Sequence, residues 1–95
     1  MPPPEPLERR ELRYSGRVQG VGFRYTARSI AQLHAVAGYV KNLADGRVEL
    51  VVEGRREEID VVMRAISAEL GRHISDVQET TSPGTGQFNG FDIRF

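Results

Sequence analysis

Val36-Ala37-Gly38-Tyr39-Val40-Lys41-Asn42-Leu43-Ala44-Asp45-Gly46-Arg47-Val48-Glu49-Leu50-Val51-Val52-Glu53-Gly54 is the stretch that decides the fold. Val36, Gly38 and Val40 share one parity and Asn42 continues their row, while Val48, Leu50 and Val52 alternate with Glu49, Val51 and Glu53. Two period-2 segments are two strands. Asp45-Gly46 between them is a strong hairpin turn, because Gly takes the positive φ that such turns require. Before the hairpin, Phe23, Ala27, Ile30, Ala31 and His34 recur at helical spacing and predict a helix over about 23–35. After it, Ile59, Val62, Met63, Ile66 and Leu70 line one face of a second helix, with Glu57, Glu58, Arg64 and Glu69 on the wet side. Gly71 follows the last apolar position, where a left-handed residue commonly ends a helix.

Strands complete the pattern outward from both helices. Residues 7–18 alternate loosely, Leu12 and Tyr14 against Arg13 and Ser15. Val77 heads a strand over about 75–81, Ser82-Pro83-Gly84-Thr85-Gly86 reads as a loop, and Phe91, Ile93 and Phe95 alternate with Asp92 and Arg94 in a short last strand. The order is β-α-β-β-α-β with one extra strand near the end. This predicts an α+β, ferredoxin-like sandwich, an antiparallel sheet covered on one face by two helices. The arrangement hosts enzymes, RNA binders and regulatory modules, so it does not decide function.

Length and composition narrow the classes. At 95 residues the chain has room for one core, assigned to residues 7–95; residues 1–6, holding four of the five prolines, read as a flexible tail. The 13 basic residues balance 13 acidic ones, which argues against a nucleic-acid partner. All the basic residues except Lys41 are Arg, the better two-pronged ligand for phosphate. No cysteine is present, so disulfides and thiolate metal sites are excluded. No stretch approaches the roughly 20 apolar residues of a membrane helix, and the N-terminus lacks a signal peptide's basic start and apolar core. A cytoplasmic monomer without a membrane partner is expected.

One segment is built for chemistry. Gly16-Arg17-Val18-Gln19-Gly20-Val21-Gly22-Phe23-Arg24 lies between a strand and a helix. Its glycines let backbone N–H groups converge, and the following helix adds the positive end of its dipole, which is how a phosphate or carboxylate is held. Arg24 closes the segment where a guanidinium grips two oxygens of one anion, and Arg17 is a second cation able to steer it. A dinucleotide fingerprint starting at Gly20 fails because Tyr25 stands where its third Gly belongs, and no Gly-Lys-Ser/Thr exists for a triphosphate loop. A plain strand-to-helix turn, with Arg24 paired to a carboxylate, accounts for the same residues. Asn42 is the second candidate: its amide can accept a proton from a water while donating to another oxygen. It can equally satisfy the backbone of the Asp45-Gly46 turn. His34 and His73 have no carboxylate at ligand spacing and read as a packed and an exposed residue, so no metal site is expected. Glu49, Glu53, Glu57 and Glu58 read as a solvated acidic surface.

The run Gly16 to Arg24, followed by Gly38-Tyr39-Val40-Lys41-Asn42-Leu43-Ala44-Asp45-Gly46-Arg47-Val48-Glu49 and closed by Phe91-Asp92-Ile93-Arg94-Phe95, resembles the acylphosphatase family over about residues 11–95. Tyr39, Lys41 and Ala44 stand where the family commonly has Trp, Arg and Pro, and His34-Ala35 where it has Leu-Gly; none is a proposed catalytic group. The resemblance implies a ferredoxin-like hydrolase without metal or cofactor. Its substrate would be a small acyl phosphate, a carboxyl-phosphate mixed anhydride, and its products a carboxylate and inorganic phosphate. It implies that Arg24 binds the phosphoryl group with backbone amides of Gln19, Gly20, Val21, Gly22 and Phe23, and that Asn42 orients the attacking water. A catalytically silent anion-binding or regulatory module of the same fold is the alternative.

Overall fold

The computed structural model describes residues 7–95; the tail expected over residues 1–6 lies outside the described residues. Five strands, β1 (Glu8–Gly16), β2 (Val36–Asn42), β3 (Val48–Gly54), β4 (Ile74–Pro83) and β5 (Phe91–Arg94), form one sheet in the order β4-β1-β3-β2-β5. Helices α1 (Phe23–Ala31) and α2 (Arg56–Leu70) connect β1 to β2 and β3 to β4. Each helix carries the chain past one intervening strand, so β3 sits between β1 and β2, and β1 between β3 and β4. This is the ferredoxin-like arrangement.

The apolar rows meet in one layer between helices and sheet. Leu12 and Tyr14 of β1, Val40 of β2, and Val48, Leu50 and Val52 of β3 pack against Phe23, Ala27 and Ala31 of α1 and Ile59, Val62, Ile66 and Leu70 of α2. Burying each Val, Leu or Ile contributes about 1.5–3 kcal/mol. Tyr14 enters this core with its hydroxyl 3.8 Å from Met63 Sδ, and burial, helped by the charge of Glu79, pushes its phenol up. No helix of the described residues is long and apolar enough to cross a membrane.

Four expectations need correction. The sheet is mixed: β1/β3, β1/β4 and β2/β3 are antiparallel, but β5 runs parallel to β2. The cause lies in the 84–90 loop, which carries the chain from the β4 edge to the opposite edge and turns it round; Gly84 N–H donates to Leu7 O (2.9 Å) and Gly38 N–H to Gly90 O (2.9 Å). Helix α1 stops at Ala31, short of residue 35, because Leu33 and His34 donate to Ile30 O and Ala31 O in three-residue turns that tighten the chain toward β2. Gly71 is right-handed (φ −55, ψ −33), and the chain passes through a 3-10 turn over Gly71–His73 directly into β4.

The acidic surface is the fourth. Glu57 remains exposed, and Glu58 lies 3.6 Å from His34 Nδ1. Glu53, however, is 3 % exposed on the sheet face away from the helices. Its carboxylate accepts hydrogen bonds from Arg9 Nη1 (3.0 Å), Thr85 N (2.9 Å), Thr85 Oγ1 (2.8 Å) and Gly86 N (2.9 Å). Burial alone would raise this carboxyl, yet the bonds from Thr85, Gly86 and Arg9 outweigh it and hold it below the usual range. Glu49 is also drawn in, accepting from Tyr39 Oη (2.8 Å) and Arg13 Nη2 (3.3 Å).

Candidate active site

At the end of the sheet where β1 and β2 finish, the 17–22 loop and the β2–β3 hairpin face one another. Val18 is completely buried and anchors the loop, while Phe23 beyond it packs on Tyr14 with ring centroids 5.0 Å apart. Between these apolar anchors the backbone has to fold tightly. Gly20 (φ 78) and Gly22 (φ 80, ψ 17) both take left-handed geometry, which side chains other than Gly adopt at a cost. Gly22 caps α1, no side chain bonds to the cap, and no acidic residue lies in the first turn. The first helical N–H groups therefore have no intrahelical acceptor and no internal carboxylate to neutralise the positive helix end.

A cavity of about 280 Å³ opens against this helix start, bounded by Gly20, Gly22, Phe23 and Arg24 on one side and Asn42 on the other, with Val18 and Tyr25 completing its wall. Of the residues singled out in the sequence, Gly20, Gly22, Phe23, Arg24 and Asn42 meet there. Val21 is exposed, and Gln19 turns its side chain away to donate from Nε2 to Leu43 O (2.8 Å) and Arg47 O (3.0 Å). Arg17 is exposed. Among the described residues no carboxylate lies within ion-pair distance of Arg24; instead its Cζ stands 4.9 Å from the Phe95 ring centroid, a cation–π contact. The pairing expected of a plain structural turn is thus missing.

Asn42 is the last residue of β2, opposite Val48, and half-buried. The neighbouring turn does not employ its amide. Asp45 serves the turn, accepting Arg47 N (3.1 Å) and Arg47 Nε (2.8 Å), and the Arg47 backbone N–H is the main cause holding the Asp45 carboxyl below its ordinary range. Gly46 (φ 94) donates to Leu43 O, and Leu43 N–H to Arg47 O, closing the hairpin neck. Asn42 is consequently left facing the cavity.

Sequence reading missed two contributors. The alternation makes Phe95 the end of a strand, but β5 ends at Arg94 and Phe95, 88 % exposed, lies against Arg24. For Gln19 the sequence points to the backbone amide alone. Neither contact has a local signature, since Gln19 reaches across 24 and 28 residues of sequence.

What the cavity offers is a cation, helix-start amides and one neutral amide. Ser, Cys, His, Asp and Glu are missing from its wall. Such a set can hold a small tetrahedral anion and direct a water at it. The molecule is thus a ferredoxin-like domain with an amide- and arginine-lined cleft at one end of its sheet. A model of the family described as Acylphosphatase matches residues 10–93. The acylphosphatase of Acaryochloris marina is 40% identical over 84 residues, covering 83% of this chain and 85% of its own. The crystal structure of acylphosphatase from Bacillus subtilis superposes with a TM-score of 0.81 at 33% identity, covering 94% of this chain and 99% of that one. Full-length HypF in a phosphate- and nucleotide-bound form contains a similar domain, with a TM-score of 0.79 at 27% identity over 94% of this chain but 12% of that one. The chain belongs to the acylphosphatase family.

Proposed function

We propose that the chain hydrolyses acyl phosphates by direct attack of water on the phosphoryl group. The observation that carries this reading is the meeting of Arg24, the helix-start amides and Asn42 around one cavity. Arg24 and the backbone amides of Gln19, Gly20, Val21, Gly22 and Phe23 hold the phosphoryl oxygens, and Asn42 aims the water. The water oxygen forms a bond to phosphorus as the phosphorus–oxygen bond to the acyl group breaks. The electron pair of that bond leaves with the carboxylate, and the water's proton passes to a phosphoryl oxygen.

Phosphoryl transfer depends on positioning and charge stabilisation more than on covalent help. A carboxylate is a good leaving group that requires no general acid, which fits a wall without Ser, Cys, His, Asp or Glu. Charge on the equatorial phosphoryl oxygens meets donors already in place, so little reorganisation accompanies the reaction.

The test is phosphate release from a generic acyl phosphate with added EDTA, for wild type, Arg24→Ala, Arg24→Lys and Asn42→Ala, with folding followed by circular dichroism. Arg24→Ala and Asn42→Ala should each lose at least about 100-fold in kcat/KM while remaining folded. Arg24→Lys should lose most of its activity too, since an ammonium cannot reproduce the bidentate grip. Inorganic phosphate should inhibit competitively. A wild type that binds phosphate without turnover would make the domain a silent anion-binding module, and full activity in Asn42→Ala would remove its water-orienting role.

A further inference from the structure

We propose that Gln19 is a positioning residue whose side chain sets the distance between the anion loop and Asn42. This rests on the reading of Asn42 given above and deepens it. Both halves of the cleft lie at or beyond the last rungs of the sheet: the ladder of β1 with β3 ends at Tyr14 and Val48, five residues before Gln19, and the ladder of β2 with β3 ends at Asn42 and Val48. Beyond that last rung, the hairpin neck is closed by Leu43 N–H donating to Arg47 O (2.8 Å).

Gln19 inserts at this neck. One amide nitrogen donates to the carbonyls of both hairpin arms, Leu43 at 2.8 Å and Arg47 at 3.0 Å, which uses both of its N–H bonds. No other side-chain hydrogen bond joins the 17–22 loop to the 43–47 hairpin among the described residues. Leu43 is the immediate neighbour of Asn42, so the brace fixes the residue next to the one proposed to aim the water. Ala44, Asp45 and Gly46 at the hairpin tip are exposed, and on the far side the hairpin is tied to β4 by the long bond from Arg47 Nη1 to Gln78 Oε1 (3.4 Å). A water held for in-line attack tolerates little displacement, and misplacement by about 1 Å can cost 100-fold in rate.

Residue type follows from the geometry. Asn is one methylene shorter and would not reach both carbonyls. Glu would turn a carboxylate toward two carbonyl oxygens. Met keeps the length of Gln and removes both donors, which makes Gln19→Met the informative change.

A brace of this kind acts on kcat and leaves anion affinity in place, because Arg24 and the loop amides are untouched. Gln19→Met should lower kcat about fivefold or more, with the inhibition constant for inorganic phosphate within about twofold of wild type. In 15N-labelled protein the side-chain amide signal of Asn42 should move, while loop amides keep their response to phosphate. Gln19→Asn, for use if Gln19→Met folds poorly by circular dichroism, should show the same split. An unchanged kcat overturns the brace. So does a parallel loss of kcat and phosphate affinity, which would make Gln19 a support of the anion loop alone. Asn42→Ala, assayed alongside, separates the two levels: if it keeps full turnover, the water-orienting reading falls and the brace with it. If it loses turnover while Gln19→Met does not, only the brace falls.

Discussion

Arg24 sits against two kinds of neighbour, peptide amides that carry partial positive charge and an aromatic ring that carries a negative face. The ring of Phe95, 4.9 Å from Cζ, gives the guanidinium a surface to rest on without neutralising it as a carboxylate would. The contact limits the rotamers that an Arg must otherwise give up when it closes on an anion. Phe95→Ala should therefore weaken competitive inhibition by inorganic phosphate about two- to fivefold, the size of one exposed cation–π contact. An unchanged inhibition constant would mean that the ring plays no part in holding the guanidinium. The sequence makes Arg24 conspicuous by placing it at the close of a nine-residue segment with three glycines. Phe95 is not conspicuous, because an aromatic residue ending an alternating row looks like one more inward-facing strand position.

Element by element, legibility follows how local the cause is. The hairpin was readable because its determinants, two alternating rows and Asp45-Gly46, are contiguous, and β3 and α2 appear where the pattern puts them. Ends decided by tertiary contacts were not. The last turn of α1 was lost to the approach of β2, and Gly71 had no need of a left-handed cap once the chain continued into a 3-10 turn. Parallel pairing of β5 was invisible for the same reason, since a four-residue strand carries no mark of its neighbour's direction. Glu53 followed the period of a half-wet strand correctly, but its partners come from Thr85 and Gly86, far along the chain.

Gly38 shows the same principle within β2. It has φ 146, and a Cβ there would collide with the backbone carbonyl of Val51 on β3. Its N–H also receives the 84–90 loop through Gly90 O. Gly38→Ala should cost at least about 2 kcal/mol of stability, from strained φ and a clash with backbone that cannot give way. Urea denaturation checks this, and a loss within about 0.5 kcal/mol of zero, the ordinary range for a surface change, would contradict the close approach.

For the whole molecule, the connection that crosses from one sheet edge to the other is tied to Leu7 at Gly84, to Glu53 at Thr85 and Gly86, and to Gly38 at Gly90. Glu53 grips it at the end of the sheet remote from the cleft, and β5 then runs along β2 toward Arg24. The Glu53 carboxyl is held below its ordinary range, so its contribution is fully present above the range of a free Glu. It is lost as pH falls through the depressed folded value. Glu53→Gln should be destabilised by about 1–3 kcal/mol at neutral pH, the worth of hydrogen bonds to a charged group. The gap from wild type should narrow at acid pH, where the wild-type carboxyl also becomes neutral. Urea denaturation at pH 7 and near the lower limit of folding measures both, and an equal gap at the two pH values would refute a charged latch.

The path of β5 has a consequence for how the protein is made. The glycine loop and Arg24 leave the ribosome early, as does Asn42. β1 must wait for β4, and Arg24 for Phe95, the products of later codons. At roughly 5–20 residues per second, a nascent chain spends several seconds with its signature motif translated and Arg24 without its aromatic neighbour. The guanidinium therefore gains its aromatic support only after β5 has docked along β2, so the cleft takes its described form late in folding.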